Sequence, residues 1–188
     1  MKKQATRMKC GWIGLAGLGL ACALRFAGAA QPPSDKGDRV VSGGDLAFMN
    51  DAAPGGLAEV ELGRLAAERA TSPQVKQFAQ QMIEDHSMAG KKLEQLAQLK
   101  KVELPPGILP QAKQTKEKLS KLSGENFDRE YVQAMVQAHE KDVAGFEAVS
   151  KNATDADVKA FAAATLPTLQ HHLEMIRALA QSMNLPAK

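Results

Sequence analysis

Beyond its first 30 residues this 188-residue chain has no cysteine and no tryptophan, and Tyr131 is its only tyrosine. Cys10 and Cys22 both fall within the opening segment. The remainder therefore has no disulfide and no cysteine nucleophile, and its stability must come from a packed core. Aromatic residues make up 4% of the chain, too few to offer stacking platforms for bases or sugars. There is no G-x-S-x-G, no glycine-rich phosphate loop and no strand pattern to carry one. Alternating ten-residue strands of the kind that build a membrane barrel are missing as well.

The missing cysteines point to what the opening segment is. Lys2, Lys3, Arg7 and Lys9 form a basic start, and Trp12–Leu24 is an apolar run too short to span a bilayer comfortably. Ala27-Gly28-Ala29-Ala30 supplies a small-residue cleavage site near Ala29/Ala30. Residues 1–30 are thus a signal peptide, and the expectation is export to the periplasm. An alternative is an outer-membrane lipid anchor on Cys22, because Gly19-Leu20-Ala21-Cys22 loosely resembles a lipobox, with glycine where leucine is usual.

Charge changes with that removal. The whole chain has 24 Lys and Arg against 21 Asp and Glu. Lys2, Lys3, Arg7, Lys9 and Arg25 leave with the signal and no acidic residue does, so 19 basic residues remain, a formal charge of −2. The apparent basicity belongs to the signal, and there is no case for nucleic-acid binding. No transmembrane segment is expected in the mature chain.

What remains is helical. Residues 31–44 read as a flexible linker and 45–184 as one domain. Asp45 caps a first helix running to about Ala70, with a kink or break at Pro54-Gly55-Gly56. Ser72-Pro73 is a strong start for a second helix that stops at Leu104-Pro105-Pro106-Gly107. A short lysine-rich helix follows over Gln111–Leu122, then long helices over Phe127–Lys151 and from Thr154-Asp155 to about Asn184, the last with a kink or bulge at Pro167. Val75-Lys76-Gln77-Phe78-Ala79 recurs 83 residues later as Val158-Lys159-Ala160-Phe161-Ala162. Two similar hairpins joined by a long connection describe an all-α, ferritin-like four-helix bundle with an additional short crossover helix.

Winding each long helix at about 100° per residue places one polar group at the middle of every apolar stripe. These are Glu59, His86, His139 with Asp142 one turn on, and His172; His171 points to the edge, and Asp128 reads as a helix cap. Counted from the hairpin turns, at roughly 1.5 Å per residue, the groups fall within about one to two turns of one level. Imidazoles and carboxylates converging from separate helices form a metal site, with Zn, Fe or Cu as candidates. Met82 and Met135, each four residues before a histidine, would suit Cu(I). The bland alternative pairs the groups off by hydrogen bonding, Glu59 with His86 and Asp142 with His139. No histidine has a glutamate three residues before it, so the Glu-x-x-His signature of di-iron enzymes is missing and no reaction is assigned.

Several segments together resemble a known family: Gly55-Gly56-Leu57-Ala58-Glu59-Val60-Glu61-Leu62-Gly63, Met82-x-x-Asp85-His86, Ser123-Gly124-x-x-Phe127-Asp128-x-x-Tyr131, His139, and Leu166-Pro167-x-Leu169-x-x-His172. This combination resembles the bacterial exported "predicted outer membrane protein" family, domain of unknown function 4142. The resemblance implies a ferritin-like bundle in the periplasm or envelope and no assigned reaction. Glu59, Asp85, His86, Asp128, Tyr131, His139 and His172 stand on its motif positions, whereas Asp142 comes from the internal repeat. The leading expectation is an envelope metal-binding protein. The rival is a structural, interaction or stress-response module with an envelope partner or a second copy of itself.

Overall fold

The computed structural model describes residue 41 and residues 43–186. The expected signal peptide over residues 1–30, with its expected cleavage site and Cys22, lies outside the described residues, as do positions 31–40 of the expected linker. Among the described residues there are five helices and no strand: α1 Gly43–Arg69, α2 Pro73–Lys100, α3 Pro110–Ser120, α4 Gly124–Asn152 and α5 Ala156–Ser182.

α1 packs along α2, and α4 along α5, as two antiparallel hairpins; α2 meets α5 and α1 meets α4 to close the bundle. The crossover segment and the short α3 return the chain to the end where α4 begins, and α3 lies across α1 and α4. The long helices start where local chemistry favours it. Ser72 caps α2, its hydroxyl accepting from the Val75 amide, with Pro73 at the first helical position. Asp155 caps α5, accepting from the amides of Asp157 and Val158. The apolar stripe expected on α2 is the buried one: Val75, Phe78, Ala79, Met82, Leu93, Leu96 and Ala97, with His86 among them.

Two carboxylates behave differently from the expectation of local caps. Asp128 does not cap α4, which starts earlier, at Gly124. It accepts from the Thr71 amide (3.0 Å), the Thr71 hydroxyl (2.6 Å) and the Ser72 amide (2.7 Å), tying down the α1–α2 turn. Asp45 lies inside the first turn of α1 and accepts from the Thr154 amide (3.0 Å), the Thr154 hydroxyl (2.7 Å) and the Asp155 amide (2.7 Å) of the α4–α5 turn. Each hairpin's turn is thus closed by a carboxylate of the other hairpin. Asp45 and Asp128, like Thr71 and Thr154, are 83 positions apart, which is the offset of the sequence repeat. α1 is one continuous helix through the buried Pro54, so it does not break into two pieces there, and α5 is continuous through the exposed Pro167; each proline removes one backbone hydrogen bond from its helix.

The core divides in two. One cluster gathers Phe78, Met82, Phe127, Tyr131, Met135 and Ile176 at the α1–α2 turn end. The other gathers Val41, Met49, Leu93, Leu96 and Val158 at the opposite end. Between them runs a polar layer.

Candidate metal centre

Glu59 of α1, His86 of α2, His139 of α4 and His172 of α5 form that layer, all buried. The four helices bring them to one level, as the count from the turns anticipates. One nitrogen from each of the three imidazoles lies within 4.8 Å of the others, and the ring centroids are 5.4–5.6 Å apart. His171 is exposed.

The tautomers follow from what each ring touches. His139 Nδ1 is 2.9 Å from the Met135 carbonyl oxygen, which can only accept, so Nδ1 carries the proton and Nε2 the lone pair. His172 Nε2 donates to Asp85 Oδ2 at 2.8 Å, leaving its lone pair on Nδ1. His86 Nδ1 lies 2.9 Å from Glu59 Oε2 and His139 Nδ1 3.4 Å from Glu59 Oε1. Those are ion-pair distances without good hydrogen-bond alignment, and neither Glu59 oxygen has a well-aligned donor. The carboxylate nevertheless favours the proton on His86 Nδ1. The three lone-pair nitrogens that result, His86 Nε2, His139 Nε2 and His172 Nδ1, are all buried without a partner. Leaving one polar atom in that state costs about 1–3 kcal/mol, so three together in one place call for a ligand.

Electrostatics keep the site in the form that binds cations. Burial lowers the pKa of His86, His139 and His172 below the usual imidazole range, so the rings are neutral at neutral pH. Burial raises the Glu59 pKa. Asp142 does not pair with His139. It lies beside Glu59, and burial together with the Glu59 charge pushes its pKa up to about 8. Two carboxyls this close hold one proton between them. Burial and the Glu59 charge also keep the Tyr131 hydroxyl, itself without a partner, protonated. Phe78 closes the layer on one side, its ring centroid 6.1 Å from His139 and 6.4 Å from His172.

Of the residues singled out in the sequence, Glu59, His86, His139 and His172 meet in this layer and Asp142 stands against it through Glu59. Asp85, which the sequence marks only as a family motif position, sits about 100° round α2 from His86, off the apolar stripe, yet it orients His172. Its place beside His86 within one motif is the signal that could have found it.

A family profile described as "Domain of unknown function (DUF4142)" matches residues 30–179, and the chain belongs to that family. No curated protein matches the sequence. Among solved structures, a DUF305 fragment from Deinococcus radiodurans aligns with a TM-score of 0.68 at 14% identity, covering 77% of this chain and 99% of that one. A secreted DUF305 protein from Streptomyces coelicolor aligns with a TM-score of 0.66 at 15% identity, covering 77% and 96%. CopM in its Cu(I)-bound form aligns with a TM-score of 0.63 at 17% identity, covering 74% and 96%. At these identities the likeness is one of fold.

Proposed function

We propose that this protein is exported to the periplasm or cell envelope and holds one transition-metal ion, copper by preference, on His86, His139 and His172. The observation that carries the reading is the set of three neutral, buried imidazoles whose lone-pair nitrogens have no partner. Metal–nitrogen bonds of about 2.0–2.1 Å need nitrogens roughly 3.3 Å apart, so a modest inward movement of the rings would complete the site. Glu59 stands behind His86 and His139 and Asp85 behind His172, each favouring the tautomer that faces the centre, while Asp142 supports Glu59. Carboxylates in that outer position raise the basicity of ligating imidazoles and hold them in place.

Copper is favoured over zinc and iron on two grounds. Imidazole sites bind Cu(II) most tightly among the divalent first-row ions, and the structurally similar CopM is known in Cu(I)-, Cu(II)- and Ag-bound forms. Iron is disfavoured because carboxylates are few around the centre. The buried Met82 and Met135 add polarizable sulfur to the neighbouring core. Export rests on the basic and apolar pattern of residues 1–30. Among the described residues no helix is long and apolar enough to cross a membrane.

The test is elemental analysis of tagless mature protein, wild type beside His86→Ala/His139→Ala. A single bound metal in the wild type and none in the variant is expected. A wild type that stays empty after exposure to Cu, Zn and Fe salts ends the metal reading. The second reading, a structural or interaction module in which buried polar groups only fix helix register, draws on the partner already found beside one nitrogen of every ring.

A further inference from the structure

A buried metal site needs a path by which the ion arrives. Two hollows of the structure meet at His86. One is a partly open cavity of ≈ 40 Å³ lined by Glu59, His86 and Asp142 together with small and apolar residues such as Ala52, Gly56 and Phe146. The other is an open groove of ≈ 460 Å³ on the outside of α1 and α2, roofed by the Leu104-Pro105-Pro106-Gly107 segment. Ala53, His86 and Gly90 line both. A Cβ built on Gly90 meets nothing within 4 Å, so the space beside that position, which lines both hollows, is open. His86 is 6% exposed, whereas His139 and His172 are fully buried, and its unpartnered Nε2 is one of the orphaned atoms of the layer. The groove on the far side of the bundle, lined by Met175 and Met183, reaches Phe78 but no triad residue.

We infer that Ala53, Gly90 and His86 form the portal through which a metal ion passes from the outer groove to the triad. The inference rests on the metal reading above. His86 is the first imidazole the ion meets; the groove wall carries Arg64 and Lys91 as well as Ser87 and Glu94, and the last two offer the oxygen donors that replace part of the ion's water shell before it enters. A wall of alanine and glycine requires no large side chain to swing aside. The route therefore sets the rate of loading while leaving the final ligand set untouched.

The experiment compares wild type with Gly90→Leu and, separately, Ala53→Leu. Uptake of Cu(II) is followed by stopped-flow absorbance and release by transfer to excess chelator. Both rates are expected to fall together by about tenfold or more with the dissociation constant unchanged, because a narrowed path slows both directions equally. Gly145→Leu, at an exposed position on α4 where a Cβ also meets nothing, should behave as wild type. Helical circular dichroism identifies any variant that fails to fold, and two independent portal positions keep the comparison decisive. A wild type that takes up no copper overturns the metal reading. A wild type that loads, with both portal variants loading at its rate, overturns the portal alone, as does a loss of affinity in place of a loss of rate.

Discussion

Removing the Asp85 carboxylate should weaken metal binding through an imidazole that Asp85 only orients. His172 is fully buried, and its Nε2–H donates to Asp85 Oδ2 at 2.8 Å. That bond fixes the proton on Nε2 and leaves Nδ1 free toward the cluster. In Asp85→Ala the proton can move to Nδ1, the ring can turn, and a buried N–H loses its acceptor. Loss of such an outer partner typically costs 10–100-fold in metal affinity, or about 1.4–2.7 kcal/mol, and the orphaned N–H costs the metal-free fold about 1–3 kcal/mol besides. Asp85→Asn keeps an acceptor oxygen at the same place and should recover most of the affinity. Competition titration against a chelator of known affinity measures the first effect, and urea denaturation of metal-free protein the second. If Asp85→Ala lowers stability but binds copper as tightly as wild type, His172 is not a ligand and the proposed triad is wrong.

Three further outcomes follow from the same geometry. Asp142, with a pKa near 8 in the fold against about 3.9 in an open chain, holds a proton there that the unfolded chain has already lost. The metal-free protein should therefore lose about 4 kcal/mol of stability as pH rises from 5 to 9, nearly all of it before pH 8, and Asp142→Asn should flatten that slope in thermal denaturation. The histidines act in the opposite sense: their lowered pKa values give stability that is present above pH 6.5 and lost on acidification, seen most clearly in the Asp142→Asn background. Asp45→Ala and Asp128→Ala each leave three hydrogen-bond donors of a hairpin turn without their acceptor. Each should cost about 2–4 kcal/mol in urea denaturation, and because they act at opposite ends of the bundle the double variant should be additive within about 0.5 kcal/mol.

The helices and their buried stripes were legible in the sequence because burial imposes a 3.6-residue period that survives in the residues themselves. Glu59, His86, His139 and His172 stood out for the same reason, each interrupting an apolar face. What could not be read was any feature that depends on which neighbouring helix a side chain reaches. Asp45 and Asp128 have the composition of caps, and cap preference is a local property; only the packing of one hairpin on the other sends them to turns 109 and 57 residues away. Asp142 looked like a partner for His139 because the two lie about one turn apart on α4, but α1 brings Glu59 between. Asp85 lies off the apolar face of α2, where solvent is the default neighbour, and α5 occupies that space instead.

The repeat explains where the cavity comes from and yields one more test. Shifting by 83 residues carries Gly56 to His139, Ala89 to His172, Leu169 to His86 and Glu59 to Asp142. Gly56, Ala89, Leu169 and both carboxylates line the cavity, which thus occupies the place of a second triad whose positions carry no imidazole. The duplicated clamps at the bundle ends are alike, but the centre is not: one half holds the histidines and the other the void. Two glycines of α1 then have opposite reasons to exist. A Cβ on Gly63 would lie 3.1 Å from both the Ala79 carbonyl oxygen and Ile83 Cγ1, so glycine there permits α1 and α2 to approach. A Cβ on Gly56 would meet only His86 Nδ1, at an ordinary 3.8 Å. Gly56→Ala should accordingly stabilise the metal-free protein by roughly 0.5–1 kcal/mol through helix propensity, whereas Gly63→Ala should destabilise it by about 1 kcal/mol or more as the helices part. Equal effects in urea denaturation would mean that the void at Gly56 and the contact at Gly63 are not the distinction drawn here.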